Sequence, residues 1–265
     1  MMDSFEIVQP SIELSPYIKN YWFLKANAAN HVQGIIPTGN INLFFHRGSP
    51  LSIECNNSLL PQMFISGQST TYSNLIQSDI TDMICVTFHA FGARMFFREP
   101  MHEFKEQSIA LDLLDNIEIL ELGKLLLDTY DNRVCVQMIE SFLKKQYFYS
   151  KEYNLRRMQA AVNAVNMGHV GIESLAGISC LGYKQFKRIF TEYVGLNPKE
   201  FLRIIRFQRA LYILQTKPST NLTELAYICE FYDQSHLISE FKHFSGYTPG
   251  EYLAICDPYS DYFSL

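Results

Sequence analysis

The sequence predicts a two-domain α+β protein, in which a small antiparallel β-barrel with accessory helices precedes an all-helical domain. Residues 35–89 contain short stretches rich in β-branched and aromatic residues, separated by glycine, proline and asparagine. Beyond residue 150 the chain repeats itself with a period of about 51 residues. The charge is also divided, because residues 151–217 carry a net +7 whereas the segments before and after them each carry −6.

The composition is that of a globular protein and argues against several other classes. Hydrophobic residues make up 48% of the chain and charged residues 18%, which are ordinary values for a folded domain. Residues 1–14 lack the basic start and apolar run of a signal peptide, and no stretch is apolar enough to cross a membrane. Six scattered cysteines without a CxxC pair argue against a zinc knuckle or a disulfide framework. We therefore expect a cytoplasmic protein with reduced thiols.

The barrel is predicted from four strand-like stretches. They are Asn40–His46, Leu51–Cys55, Met63–Ser66 and Met83–His89. Several short strands at this spacing are typical of an antiparallel barrel or sandwich. Because the mouth of a small barrel is a common ligand site, we expect an effector to bind in this region.

Trp22, His46 and His89 are the candidate effector-binding residues, although a structural role is favoured for each. A metal site would need the two histidines to converge with His31 and a carboxylate, and the sequence has no H-x-H pair to support that. We predict no metal, no cofactor and no catalytic residue. The stretch Tyr21–Phe23, which includes the single tryptophan, is more typical of a core anchor than of a ligand clamp.

After Gly92 the hydrophobic pattern becomes helical. Residues 93–98 are predicted as a short helix, which Pro100 ends. Residues 117–130 and 133–147 carry apolar residues at helical spacing. These two helices either cover the barrel or pair with a second copy of the chain, and the sequence leaves both alternatives open.

A domain boundary is predicted where the helical periodicity is lost, over residues 148–154. It separates a sensor or dimerisation domain, 1–150, from a helical domain, 151–265. Within the second domain, two helix-turn-helix units are predicted at 172–195 and 222–246, which form the internal repeat.

Both units end in the same way. Gly195 and Gly246 end the second helix of each unit as left-handed caps. Asn197–Pro198 and Thr248–Pro249 then supply a helix cap and a first-turn proline. A linker helix over 198–216 would span roughly 28 Å, close to the ~34 Å turn of DNA. Such a rod could hold two helices near successive major grooves of DNA. The alternative interpretation of the repeat is a plain helical bundle with duplicated hairpins.

The repeated units carry a specific motif. The second unit contains Ala226-Tyr227-x-Cys229-x-Phe231-Tyr232-Asp233-Gln234-Ser235-His236, then Phe241-Lys242 and Gly246-x-Thr248-Pro249. The first unit and the linker contain Phe186, Arg188, Phe190, Gly195, Pro198, Arg206 and Ala210 in matching places. Residues 155–255 thereby resemble the DNA-binding domain of AraC/XylS-type transcription regulators. The amino-terminal half is less specifically similar to the sensor domains of such regulators, which implies a cupin-like barrel.

The resemblance implies which partners and side chains are involved. Double-stranded DNA is the expected partner, and RNA polymerase, a small-molecule effector and a second copy of the chain are candidate partners. The side chains implied to contact DNA are Lys184, Gln185, Lys187 and Arg188 in the first unit and Gln234, Ser235, Ser239 and Lys242 in the second. Gln185 fits an adenine edge and Arg188 a guanine edge, because each can form two hydrogen bonds there. The apolar residues Phe186, Ile189, Phe190, Leu237 and Phe241 are expected in the core.

Three positions depart from the pattern of that family. Gly182 stands where a serine cap is usual, and Glu230 stands where glycine is usual, which predicts a strained turn. Ser239 replaces the usual arginine. Because the segment 218–265 is also acidic, we predict that the first unit makes the main contact with DNA.

The function predicted from these residues is that of a sequence-specific, DNA-binding transcription regulator, not an enzyme. An unknown ligand or partner at the amino-terminal domain would set its activity. One alternative is a cupin-like enzyme that uses His46 and His89 and carries a helical accessory domain. Another alternative is a protein-interaction adaptor that has lost DNA binding.

Overall fold

Strands dominate the first part of the chain and helices the second. The computed structural model describes residues 4–27, 31–77, 79–147, 152–168, 171–217 and 219–255. The strands in these residues are β1 (Ser4–Val8), β2 (Ile18–Asn27), β3 (His31–Ile35), β4 (Ile41–His46), β5 (Leu51–Ile53), β6 (Ser58–Leu59), β7 (Met63–Ser66), β8 (Ser73–Gln77), β9 (Ile80–Phe88) and β10 (Ser108–Ala110). The helices are α1 (Ile117–Leu127), α2 (Asn132–Gln146), α3 (Glu152–Met167), α4 (Ile172–Ile178), α5 (Tyr183–Val194), α6 (Pro198–Thr216), α7 (Leu222–Ile228), α8 (Gln234–Ser245) and α9 (Pro249–Ile255).

The strands form two antiparallel sheets. The larger sheet has the order β1-β2-β9-β4-β7-β10 and the smaller has the order β3-β8-β5-β6. A barrel needs one continuous ladder of paired strands, and the ladders among the described residues do not join the two sheets. The antiparallel strands are therefore as predicted, whereas the closed, cupin-like barrel is not confirmed. The fold is a two-domain α+β fold with an amino-terminal sheet domain and a carboxy-terminal helical domain.

The larger sheet has two different faces, because successive side chains of a strand point to opposite sides. Leu43 and Phe45 of β4 belong to the main hydrophobic cluster, together with Ile119 and Leu122 of α1. Phe44, on the other face of β4, belongs to a second cluster between the two sheets. That second cluster consists of Trp22, Leu24, Phe44, Leu51, Phe64, Met83 and Cys85. The Tyr21–Phe23 stretch is buried on both faces, as a core anchor should be.

The helices α1 and α2 cover the larger sheet. Asn116 and Asp131 cap them, since their side chains accept hydrogen bonds from the first backbone N–H groups. Gly123 of α1 lies against the sheet, where an added Cβ would fall 2.3 Å from the Sδ of Met63. Of the two alternatives for these helices, packing on the sheet is therefore observed. Their pairing with a second copy stays a prediction.

The segment between sheet and helices joins the two parts of the molecule. The predicted helix at 93–98 is shorter than expected, because only Ala93–Met95 form a 3-10 turn. A second 3-10 turn, Met101–Phe104, follows Pro100. The apolar residues of this segment are buried in the main cluster, which continues from the sheet into the helices of the second part. Sheet and helices therefore share one core.

The helical part follows the sequence patterns closely. Gly195 and Gly246 end α5 and α8 in the left-handed conformation, with φ of 88° and 82°. Asn197 caps α6 in a capping box with Glu200, and Pro198 takes the first turn. The predicted boundary at residue 150 lies outside the described residues. No helix among the described residues is long and apolar enough to cross a membrane.

Candidate nucleic-acid interface

The helix α5 presents a basic face to solvent. Its core side is apolar, with Phe186, Ile189 and Phe190 buried as predicted. The four predicted contact residues on its other side, Lys184, Gln185, Lys187 and Arg188, are all exposed. Gly182 precedes the helix without a side-chain cap, so the first backbone N–H groups remain available there.

The charges on this face are not neutralised by the residues that the structure describes. Lys184, Lys187 and Arg188 form no ion pair with any other residue that the structure describes. A cluster of exposed cations without carboxylate partners suits a polyanion, because the cations can neutralise phosphates and release the counterions condensed on the DNA. The arrangement is therefore able to hold a DNA backbone and to present Gln185 and Arg188 to base edges.

The helix α8 carries a less basic face. Its predicted contact residues Gln234, Ser235, Ser239 and Lys242 are exposed. Gln234 is partly engaged, because its Oε1 accepts a hydrogen bond from the Thr223 hydroxyl at 3.0 Å. Lys242 and His243 are the basic residues of the last turn. Compared with α5, this face offers fewer charges to a phosphate backbone.

One linker helix supports both of these helices. The ring of Phe190 in α5 contacts Phe201 of α6, with 5.6 Å between ring centroids. Phe207, further along α6, contacts Phe241 and Phe244 of α8 at 5.1 and 5.2 Å. Edge-on and tilted aromatic contacts of this kind hold one orientation well. The two exposed faces therefore keep a set relative orientation.

An ion pair also fixes α8 to the linker helix. Arg203 of α6 donates two hydrogen bonds to Glu240, at 2.8 and 2.7 Å. Burial alone would raise the pKa of the Glu240 carboxyl, but the hydrogen bonds and charge of Arg203 outweigh burial and lower it. Glu240 therefore serves the packing of α8 and not its solvent face.

Both turns contain a residue in the left-handed region of backbone conformation. Cys180 has φ of 52° in the first turn and Glu230 has φ of 60° in the second. The strain predicted at Glu230 is thus observed, and the corresponding strain at Cys180 was not predicted. The offset of 50 residues between them could have indicated it, since the repeat places both residues at the same point of the turn.

The sheet domain touches the ends of both exposed helices. A Cβ added to Gly195 would lie 2.9 Å from the backbone oxygen of Met101, and one added to Gly246 would lie 2.9 Å from the ring of Tyr72. Arg94 forms an ion pair of 2.8 Å with Glu192 at the end of α5. The orientation of the helices is therefore linked to the amino-terminal domain.

A cavity of about 120 Å³ lies between the two sheets, at their end next to α6. We name it the near cavity. A polar row crosses the larger sheet on its inner face, because the strand register aligns Asn20, Thr87, Asn42, Ser66 and Ser108. Of these, Asn42, Ser66 and Ser108 line the near cavity with Phe44, Phe64 and Leu75. Its described lining residues include no charged side chain.

The near cavity is connected to the linker helix. Gln68, which lines the cavity, donates a hydrogen bond to the backbone oxygen of Gly39 at 2.8 Å. Gly39 packs against Phe201 and Ile205 of α6, where an added Cβ would lie 3.2 Å from each. Gln208 of α6 donates to the backbone oxygen of Pro37 at 2.6 Å, and Pro37 also lines the cavity.

The three candidate effector residues lie apart from one another. Trp22 is buried between the sheets, 5.8 Å from the ring of Phe44. His46 stands at the end of β4 away from the near cavity, whereas His89 follows the opposite end of the paired strand β9. Burial lowers the pKa of His89, a hydrogen bond that the imidazole donates to the backbone of Ser15 opposes that effect, and the charge of Lys19 adds to it.

The two histidines of the alternative enzyme hypothesis are not brought together. Six residues of extended strand separate their positions, which corresponds to roughly 20 Å. Within the described residues, no group of three or more histidine, cysteine or acidic side chains is placed to hold a metal ion.

The near-cavity residues were missed by sequence reasoning, because the polar row depends on register between five strands. The polar residues Asn42 and Thr87 in otherwise apolar strands were the available signal.

Two families match the chain. Residues 6–110 match a family described as a domain of unknown function (DUF6597), and residues 175–255 match one described as a helix-turn-helix domain.

Curated relatives are described as regulators. An uncharacterized HTH-type transcriptional regulator of Haemophilus influenzae is 28% identical over 81 residues, which are 31% of this chain and 27% of the relative. The uncharacterized HTH-type transcriptional regulator YdeC of Bacillus subtilis is 27% identical over 110 residues, which are 40% of this chain and 38% of the relative. The chain thus spans well under half the length of each of these relatives.

A solved structure resembles both parts of the molecule. ToxT from Vibrio cholerae matches with a TM-score of 0.50 at 12% identity, over 88% of this chain and 98% of that chain. At this identity the likeness shows the fold alone, which is a sheet domain followed by a helix-turn-helix domain.

Proposed function

We propose, on the premise that residues 175–255 are an AraC-type helix-turn-helix domain, that the chain is a sequence-specific transcription regulator. The resemblance predicted from the sequence is confirmed for that segment. In this proposal residues 1–150 are the sensor domain and residues 151–265 bind DNA. The observation that carries it is the exposed, unpaired basic face of α5 on a rigid linker helix.

The first unit makes the main contact with DNA in this proposal. Lys184 and Lys187 bind phosphates, while Gln185 and Arg188 contact base edges in the major groove. The second unit, through Gln234, Ser235, Ser239 and Lys242, makes a weaker contact on the same side of the duplex. The charge difference between the faces of α5 and α8 supports this order of strength.

The near cavity is the proposed effector site. It lies between the two sheets, and its described lining carries hydrogen-bonding groups without charge. An effector there touches the Pro37 and Gln68 segments, which contact α6 directly or through Gly39. Binding can thus change how α6 holds the two DNA-contacting helices.

Further partners follow from the same proposal. A regulator of this kind acts on DNA in the cytoplasm, with RNA polymerase as a partner and without enzymatic activity of its own. The exposed residues Ile117 and Leu125 of α1 and Val134 of α2 offer an apolar surface to a second copy of the chain. Each of these partners is a proposal that DNA-binding and sedimentation measurements can test.

The test of the proposed function is a selection of bound DNA from a random pool, followed by binding measurements on the selected site. We expect a defined sequence to emerge, with affinity that falls steeply as salt concentration rises. Two matched variants, Lys187→Ala in α5 and Lys145→Ala in α2, each remove one positive charge. Comparing them distinguishes a contact at the proposed interface from an effect of the protein's overall charge. Only Lys187→Ala should weaken binding and reduce the salt slope by about one unit.

The contrary outcome is equally definite. A chain that selects no sequence and shows almost no salt-dependent binding to random DNA is not a DNA-binding regulator. That result would favour the adaptor alternative, in which the helical domain contacts another protein.

A further inference from the structure

A second cavity, of about 350 Å³, lies at the opposite end of the inter-sheet space. We name it the far cavity. It is lined by His46, Gly48, Pro50, Leu51, Leu59, Leu60, Pro61, Gln62 and Phe64. It shares the wall formed by Leu51, Leu60 and Phe64 with the near cavity, whereas its other lining residues are its own. Its volume falls within the range of small-molecule sites in proteins.

His46, in the wall of the far cavity, carries a buried polar atom that no described residue satisfies. His46 is only 4% exposed, and its Nε2 atom has no hydrogen-bond partner among the described residues. Buried polar atoms are nearly always hydrogen-bonded, so an unsatisfied one needs an explanation. The backbone N–H of His46 donates to the oxygen of Gln62 at 2.8 Å, which holds the residue in place at the cavity wall.

The imidazole in this position is uncharged. Burial lowers the pKa of His46 to about 4, although the negative charge of Asp82 opposes this effect. Asp82 is itself neutralised by Arg47, whose guanidinium lies 2.7 Å from its carboxylate. A neutral imidazole nitrogen can donate or accept one hydrogen bond, depending on the tautomer. A hydroxyl group can form a hydrogen bond with either tautomer, because it can both donate and accept.

We propose that the far cavity binds a neutral, largely apolar small molecule through one hydroxyl group, which forms a hydrogen bond with Nε2 of His46 when the imidazole turns toward the cavity. The lining excludes charged ligands, since it contains apolar side chains and neutral polar groups without a cation or a carboxylate. An isolated charge would lose its hydration there without compensation. The site does not depend on the proposed DNA-binding function, and it is distinct from the proposed effector site in the near cavity.

The test uses two neutral probes, phenol and 2-naphthol, and their anionic counterparts, benzoate and 2-naphthoate, with the full chain at neutral pH. Equilibrium binding is followed by probe fluorescence or calorimetry. We expect saturable one-to-one binding of at least one neutral probe, and binding at least tenfold weaker for its carboxylate. His46→Leu should weaken binding of the neutral probe about tenfold, because the hydrogen bond is lost. His46→Gln, which keeps a hydrogen-bonding group, should retain most of the affinity.

Two further variants distinguish the cavities. Leu59 is 68% exposed at the mouth of the far cavity, so Leu59→Trp can block it without disturbing the core. Ser69 lines the near cavity only, so Ser69→Trp is the matched control. Binding should be lost in Leu59→Trp and unchanged in Ser69→Trp.

The proposal is overturned if neither neutral probe binds, if the carboxylates bind equally well, or if Ser69→Trp alone abolishes binding. Because Leu59 lies outside the core, this variant keeps the test decisive even if His46→Leu fails to fold.

Discussion

Individual residues in the two turns carry a conformational cost. Cys180 and Glu230 adopt left-handed φ values that side chains with a Cβ rarely take. A non-glycine residue in this region is disfavoured by roughly 1–2 kcal/mol. The turns are kept in this shape because the helices on both sides of each are packed into one core.

Substitution of the turn residue by glycine should relieve this cost. We expect Glu230→Gly to raise the free energy of unfolding by about 1 kcal/mol, since glycine adopts positive φ without strain. Glu121→Gly in the exposed middle of α1 is the control, and it should lower stability by about 0.5–1 kcal/mol. Chemical denaturation of both variants measures these changes. A decrease in stability for Glu230→Gly would show that the turn is not strained.

Arg188 should determine base preference at one position of the site. We expect Arg188→Ala to weaken binding to the selected DNA by about 1–3 kcal/mol and to relax the preference for guanine there. The exposed Arg133 of α2 serves as the control, since Arg133→Ala removes the same charge away from the proposed interface. Competition between DNA sites that differ at one base pair gives the measurement. An unchanged base preference would remove Arg188 from the proposed contacts.

Among the elements, α6 connects both helix-turn-helix units to the sheet domain. It receives the aromatic contacts of α5 and α8, accepts the packing of Gly39, and donates to Pro37 of the sheet domain. Its capping box and first-turn proline define where it begins, independently of those contacts. A helix with a strong local start can therefore act as the common support for both units.

The weaker contact face of α8 can be strengthened by one charge. We expect Ser239→Arg to tighten binding to the selected DNA, because the exposed position would then offer a bidentate donor to phosphate or guanine. Ser141→Arg, at an exposed position of α2, adds the same charge to the other domain and should have little effect. Titration of DNA with each variant at two salt concentrations checks this. Equal affinities for both variants would mean that α8 does not reach the duplex.

The ion pair between Arg203 and Glu240 should stabilise the packing of α8 on α6 in a pH-dependent way. A carboxylate with a lowered pKa in the folded state contributes stability above its unfolded pKa of about 4.3, and this contribution is lost as the pH falls through the folded value. We expect Glu240→Gln to be about 1–3 kcal/mol less stable than the parent chain at neutral pH. The difference should shrink below about pH 4. Denaturation at several pH values measures it, and a constant difference would contradict the assignment.

The predictable elements are those with local signals. The end of α5 and the start of α6 agree with prediction because a glycine cap, an asparagine cap and a first-turn proline lie next to them. Strand β2 was not predicted as a strand, since burial on both faces removes its alternation. The polar row could not be predicted, because it arises from pairing between strands distant in sequence. Likewise, nothing local to His46 shows that a cavity surrounds it.

At the scale of the whole molecule, the two domains behave as one packed body. The main hydrophobic cluster runs from the larger sheet through residues 90–104 into the helical domain. The ion pairs Arg94–Glu192 and Lys105–Glu200, each of 2.8 Å, lie at the same boundary. A shared core links the unfolding of one domain to that of the other.

A single unfolding transition should result. Trp22 is the only tryptophan of the chain and lies in the sheet domain, so its fluorescence reports that domain. Helical circular dichroism mainly reports the other domain. We expect the two signals to change at the same temperature during thermal denaturation. Two separate midpoints in the parent chain would show that the domains unfold independently. In the variant Arg94→Met, which lacks one ion pair at the boundary, the two midpoints should move apart if these contacts hold the domains together.

Main-chain atoms supply several contacts at this boundary, among them the carbonyl oxygens of Pro37 and Met101. A carbonyl oxygen is present whichever amino acid occupies its position, so substitutions at these positions need not remove the contact. We therefore expect the joint between the domains to tolerate evolutionary divergence better than one built from side chains. Distant homologues could then keep the same domain arrangement while their effector pockets and DNA targets change.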